Sequence, residues 1–149
     1  KAYEKPLGRG QLVYYPPMSK EDEQQERFGA ATHTDFGVLT FLLQDMQGGL
    51  QVLNQSGQWI EAQPIEGSFV CNIGDLLERW TNGYLVSTKH RVINRNKTAR
   101  YSIPVFCDPS SKTIINPADF SDGSKNYKKI TAGEHIANRN QKNFTQYKN

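Results

Sequence analysis

Punctuation constrains this chain more than any other feature. Its apolar runs are short, and proline, glycine or asparagine stops each one before a long helix could form. Gln11 to Tyr15 ends at Pro16-Pro17. Val38 to Leu43 is a continuous apolar run, readable as a buried strand. Gly48-Gly49 turns the chain into Leu50-Gln51-Val52-Leu53, which alternates with period two. Asn54 to Gly57 is a hairpin-type turn leading to Trp59-Ile60 and a stop at Pro64, and Ser68 to Ile73 ends at Gly74-Asp75. Two segments read as helical. Asp75 to Trp80 is a short one after the fifth strand, with Asp75 as N-cap. The second opens on Thr131 and Glu134 as a capping box and runs to about Phe144. Val86 to Val92, Arg100 to Cys107 and Thr113 to Ile115 complete the strand candidates. About eight antiparallel strands and a closing helix predict an all-β sandwich or barrel, and fit a double-stranded jelly roll.

No repeat or linker divides residues 1–149, which are expected to form one domain burying about two-thirds of its unfolded surface. With 36% apolar and 22% charged residues the composition is that of a globular chain. No apolar run approaches the roughly 20 residues of a membrane span. The net charge of +3 is scattered, its densest stretch being Lys125 to Lys129, which argues against nucleic-acid binding. Cys71 and Cys107 are too few for a disulfide scaffold, so both are expected as buried free thiols in a reducing cytoplasm. Ser19 to Arg27 reads as an exposed, mobile acidic loop. The opening KAYEKPLGRG has neither an apolar signal core nor an initiating Met, from which an upstream segment is expected.

Three histidines are present, and two keep suggestive company. His33-Thr34-Asp35 follows a strand-like run from Phe28 to Thr32. Side chains two apart on a strand point the same way, so His33 and Asp35 can converge on one ion. His90, in a later strand, can supply a third ligand from across a barrel. Two imidazoles and a carboxylate are the ligand set of non-haem iron(II) oxygenases, although imidazole also suits zinc, and a single His-x-Asp triplet is weak on its own. Arg100 and Ser102, also two apart, put a guanidinium fork beside a hydroxyl. Facing inward they would receive a carboxylate; facing outward, Arg100 is an ordinary strand-start residue. His135 reads as a surface residue of the last helix.

The ordered segments HTDFGVLTFLLQD, GGLQV, NIGDLLERWTNG, STKHRV and RYSIPVFCDP resemble the isopenicillin N synthase-like iron(II)/2-oxoglutarate dioxygenases from about Gln11 to Gln141. The resemblance implies a jelly-roll catalytic domain with iron held by His33, Asp35 and His90. It implies that Arg100 and Ser102 hold the distal carboxylate of 2-oxoglutarate, that Tyr15 adds a hydroxyl, and that Phe106 lines a substrate pocket. Val13 departs from plant relatives, many of which have an asparagine there.

The implied reaction couples 2-oxoglutarate decarboxylation to hydroxylation or desaturation of a small organic metabolite. It would use Fe(II), 2-oxoglutarate and dioxygen, with ascorbate as a reductant. Three rivals stay open: a 2-oxoglutarate-independent oxidase of the same family, a truncated non-catalytic binding domain, and an unrelated zinc hydrolase, which lacks a candidate general base beside the triad. The oligomeric state is left open, a monomer included. Relatives carry a helical segment upstream, and a barrel without it is expected to show an exposed apolar patch on the outer face of its major sheet.

Overall fold

The strand expected at Gln11 to Tyr15 is shortened to Val13–Tyr15 and preceded by another at Leu7–Gly10, and the cause of the break lies across the sheet. In the computed structural model, which describes residues 1–19, 21–22, 29–120 and 127–146, β1 (Leu7–Gly10) and β2 (Val13–Tyr15) both pair with one long strand, residues Arg100–Asp108. The register is continuous, Gly10 opposing Val105 and Val13 opposing Ser102. Between them the Gln11 N–H donates to the Pro104 carbonyl at 3.1 Å. Proline has no N–H to return, so the ladder lapses for two residues.

The remaining strands are β3 (Ala30–His33), β4 (Leu39–Gln44), β5 (Leu50–Leu53), β6 (Trp59–Glu61), β7 (Val70–Ile73), β8 (His90–Val92), β9 (the long Arg100–Asp108 strand), β10 (Ile114–Ile115) and β11 (Ile130–Thr131). Helix α1 (Asp75–Trp80) follows the seventh strand, and α2 (Ala132–Gln146) closes the chain. Among the eleven described strands, β1 and β11 were not expected: Leu7–Gly10 is half glycine and exposed, and Ile130–Thr131 is too short to show a period. Most of the loop read at Ser19 to Arg27 lies outside the described residues, as do Phe28, Lys125 and Asn126.

Two antiparallel sheets make the body. The major sheet runs β1-β9-β4-β7 with β2 also on β9, and the minor sheet runs β3-β8-β5-β6. Their inner faces, Thr40 and Leu42, Val70 and Asn72, Leu50 and Val52 among them, enclose a cavity of about 270 Å³. The dry core sits at one end instead, where Val38, Leu76, Ile115 and Ala132 pack together under Leu77, Trp80 and Ile130. Each of these buried aliphatic side chains stabilises the fold by up to about 3 kcal/mol.

The outer face of the major sheet is apolar and uncovered. Tyr14, Phe41, Leu43, Tyr101, Ile103 and Val105 alternate with the inward residues, and each is more than a third exposed. Cys71 lies on this face and is exposed, and Cys107 is half-buried. Both thiols are free, but neither is buried as expected, because period-two geometry sends Cys71 outward beside Phe41.

Two helix readings change. Gly74, not Asp75, is the N-cap of α1, and no side chain caps it. A Cβ at Gly74 would stand 2.2 Å from the Gly37 carbonyl oxygen, so only glycine lets these loops close. Thr131 does accept the Glu134 N–H, at 3.2 Å. His135 is 7% exposed rather than on the surface, because α2 lays it against the ligand loop.

Burial, and next the Arg79 charge, hold His135 below the ordinary 6.5, with Asp75 opposing and Arg139 adding to the depression. The unfolded chain therefore takes up this proton first. Stability is present above about pH 6.5 and declines as pH falls below it. Urea unfolding followed from neutral to mildly acid pH should show that decline, and His135→Gln should flatten it. An unchanged slope would exclude His135 as a contributor.

Candidate metal centre and anion pocket

Two strands and one loop assemble the metal-ligating side chains. His33 ends β3 and His90 begins β8, and the two are direct cross-strand partners. His90 thus comes from the neighbouring strand, not from across the barrel. Antiparallel pairing alone brings opposed side chains within reach, and the ring centroids are 4.3 Å apart. Asp35 lies beyond the end of β3, so strand alternation does not place it. The loop is pinned instead: the Asp75 N–H donates to the Asp35 carbonyl at 2.8 Å, and the Leu76 N–H to that of Gly37 at 3.0 Å. Ligand atoms of His33, Asp35 and His90 all lie within 4.8 Å of one another, the one such triad among the described residues.

Each ligand is oriented by a partner. His33 Nδ1 is 2.7 Å from the Ala31 carbonyl and His90 Nδ1 is 3.1 Å from that of Thr88. A ring nitrogen beside a carbonyl carries a proton, so Nε2 is the ring nitrogen each histidine turns toward an ion. Asn72 Nδ2 donates to Asp35 Oδ2 at 2.7 Å, leaving Oδ1, which is 3.7 Å from His90 Nε2. Burial, reinforced by the neighbouring His33, holds His90 below its ordinary pKa and so neutral. Two imidazoles with one oriented carboxylate fit Fe(II), and the same donors accept zinc.

A second layer holds the loop. Arg139 of α2 reaches Asp75 Oδ2 at 2.6 Å and Thr34 Oγ1 at 3.0 Å, and it lies 4.9 Å over the Phe36 ring. Neither Asn72 nor Arg139 was singled out from sequence. Asn72 had a signal, since it faces inward two residues before Gly74-Asp75. Arg139 had none, because its partners Thr34, Phe36 and Asp75 lie far from it in the chain.

On the inner face of β9, Arg100 is fully buried and Ser102 is 3% exposed. Arg100 Nε donates to the Gly48 carbonyl at 2.7 Å and Nη2 to Gln44 Oε1 at 3.0 Å. Nη1 is buried with no partner. Tyr15, directly opposite on β2, puts its ring 4.9 Å from the guanidinium carbon. Burial pulls the Arg100 pKa below its ordinary value, with Tyr15 and Asp45 opposing. A desolvated cation with a donor to spare favours an anion. Arg100, Ser102, Tyr15 and all three triad residues line the 270 Å³ cavity, so one chamber holds both functions. Phe106 lines it too, and also a wider cavity of about 520 Å³ on the other side of His33 and Asp35.

Residues 10–109 match the 2OG-Fe(II) oxygenase superfamily. A homoarginine-6-hydroxylase of Oryza sativa is 40% identical over 139 residues, 89% of this chain and 42% of that protein. A 1-aminocyclopropane-1-carboxylate oxidase of Dictyostelium discoideum is 50% identical over 101 residues, 66% of this chain and 27% of that protein. A full-length Neurospora crassa protein, solved in complex with alpha-KG, superposes with a TM-score of 0.84 at 35% identity, covering 93% of this chain and 46% of that one. The chain thus spans less than half the length of these relatives. Matched across two-thirds of its length, and with the triad and buried arginine in place, the chain belongs to the 2OG-Fe(II) oxygenase superfamily.

Proposed function

We propose that this chain is the catalytic domain of an Fe(II)- and 2-oxoglutarate-dependent oxygenase that hydroxylates or desaturates a small organic molecule. His33, Asp35 and His90 are the iron ligands. Arg100 and Ser102, with the Tyr15 hydroxyl, hold the far carboxylate of 2-oxoglutarate, and Phe106 faces the substrate. The observation that carries this reading is the unpartnered Nη1 of Arg100, buried in the chamber that the triad also lines.

Bound iron and 2-oxoglutarate would supply the oxidising chemistry, coupling use of dioxygen to release of succinate and carbon dioxide. The chain's own contribution is placement. Ala31 and Thr88 carbonyls engage the imidazole Nδ1 atoms, so each ring presents Nε2 for ligation, and Asn72 fixes which carboxylate oxygen of Asp35 is offered. The Gln44 side chain and Gly48 carbonyl hold the guanidinium plane, so its free edge is set before any ligand arrives. Apolar neighbours, Leu42, Val70 and Val92 among them, restrict water in the chamber.

No described helix is long and apolar enough to cross a membrane. With two free thiols, a reducing cytoplasmic setting is part of the proposal. The relatives' names span a homoarginine hydroxylase and an aminocyclopropane-carboxylate oxidase, so the family likeness narrows the substrate only to a small molecule.

Titration with Fe(II) should give one site per chain. Asp35→Ala should weaken it beyond about a hundredfold, and Asn72→Ala, which removes only an outer hydrogen bond, by about 10–100-fold. Unchanged metal affinity in Asp35→Ala would sink the triad. Succinate release should follow 2-oxoglutarate. Arg100→Lys keeps the charge but loses the fork, so its KM for 2-oxoglutarate should rise about tenfold or more with the fold retained. An unchanged KM, or oxygen-dependent turnover without succinate, would favour the 2-oxoglutarate-independent oxidase.

A further inference from the structure

Resting on the oxygenase reading, we infer that the wider cavity receives a small monocarboxylic acid with an apolar body, and that Arg9 binds its carboxylate. The triad stands between two chambers. His33, Asp35 and Phe106 line both, and Arg100 belongs only to the inner one. The outer one, about 520 Å³, is of a size for a small organic molecule.

Arg9 is the single Lys or Arg among the residues lining that outer chamber. Its direction is set by the sheet. On β1 it opposes Phe106, and cross-strand partners share a face, so Arg9 joins the inward series Arg100, Ser102, Pro104, Phe106 and Asp108. Its guanidinium carbon lies 4.6 Å over the Phe106 ring. Stacking on a ring occupies the guanidinium's face and leaves its N–H edge free, the edge that grips a carboxylate. Its charge acts on the nearby Asp108 carboxyl, but among the described residues it closes no ion pair or hydrogen bond with it. Two guanidinium groups therefore lie toward opposite ends of one strand face, at Arg100 and opposite Phe106. Their strand positions are about 20 Å apart at ordinary strand rise, with the triad between the two chambers.

The rest of the lining selects against other ligands. Asp35 is committed to the metal triad. Asp108 accepts the Val38 N–H at 2.8 Å; burial pushes its carboxyl above the usual range, with that hydrogen bond and the Arg9 charge opposing. Leu7, Phe36 and Ile136 supply apolar wall. One free guanidinium beside apolar wall and acidic neighbours suits a single carboxylate, while a phosphate or dianion would meet one cation and two carboxyl groups.

The test uses the protein loaded with zinc as a redox-inert ion and saturated with 2-oxoglutarate, so that Arg100 is already engaged. Hexanoate and 3-phenylpropionate are titrated beside their primary amides, with binding read from the ¹⁵N-labelled Arg9 side-chain resonance and by calorimetry. The acids should shift the Arg9 Nε–H signal saturably, and the amides should bind at least about tenfold more weakly. Arg9→Gln should remove that preference, and Arg9→Lys should retain part of it. Equal binding of acid and amide, binding of neither, or an Arg9→Gln variant that still prefers the acid would overturn the assignment. A protein that takes up neither zinc nor 2-oxoglutarate at the loading step would instead refute the oxygenase reading beneath it.

Discussion

Arg100 imposes the constraint around which the rest of the molecule is arranged. A guanidinium removed from water is costly unless its donors are met, and here two of its three nitrogens are met by the Gly48 carbonyl and Gln44. Meeting them requires β9 to pair with β4, which brings Gln44 opposite Ser102, and requires the glycine turn before β5 to approach. Gly48 and Gly49 both have positive φ, which allows that turn to present its carbonyl inward. Tyr15 completes the setting from β2, whose register survives the Pro104 interruption. The cost of burying the cation is thus largely offset by backbone and amide, and the remaining donor is left for a ligand.

The metal centre uses a different economy. Its two imidazoles need only correct strand pairing, whereas the carboxylate depends on a loop that no periodicity governs. That loop is held at three levels: backbone hydrogen bonds from α1, the Asn72 amide, and the Arg139–Asp75–Thr34 group contributed by α2. The close approach of Gly74 to Gly37 lets all three act together, since any Cβ there would hold α1 away from Asp35. The C-terminal helix therefore belongs to the machinery of the site even though none of its side chains reaches the ion position.

The major sheet carries polar groups among apolar ones on its inner face and is apolar on its outer face. Its inner face carries Arg100, Ser102, Asn72 and Thr40 because the interior is a ligand chamber. Its outer face carries Phe41, Leu43, Ile103, Val105 and two tyrosines. The expected apolar patch on this face is present. Such a contiguous surface exceeds what scattered exposed residues account for and marks a face suited to being covered.

The local pattern determined a good deal by itself. Short apolar runs between turn residues point to an all-β fold. Two-residue spacing put Arg100 and Ser102 on one face, and motif order singled out His33, Asp35 and His90, although the strand alternation expected to aim Asp35 does not extend to it. Only the tertiary structure decided that His90 is the neighbour of His33 rather than a partner across the barrel, that Gly74 displaces Asp75 as the cap, and that His135 is buried. It alone brought Asn72 and Arg139 to Asp35's loop, and Arg9 onto Phe106. Each of these depends on sheet register or on contact between segments far apart in the chain, and local periodicity carries no information about either. Face and period are written residue by residue; which strand lies beside which is settled only when two sheets close around one space.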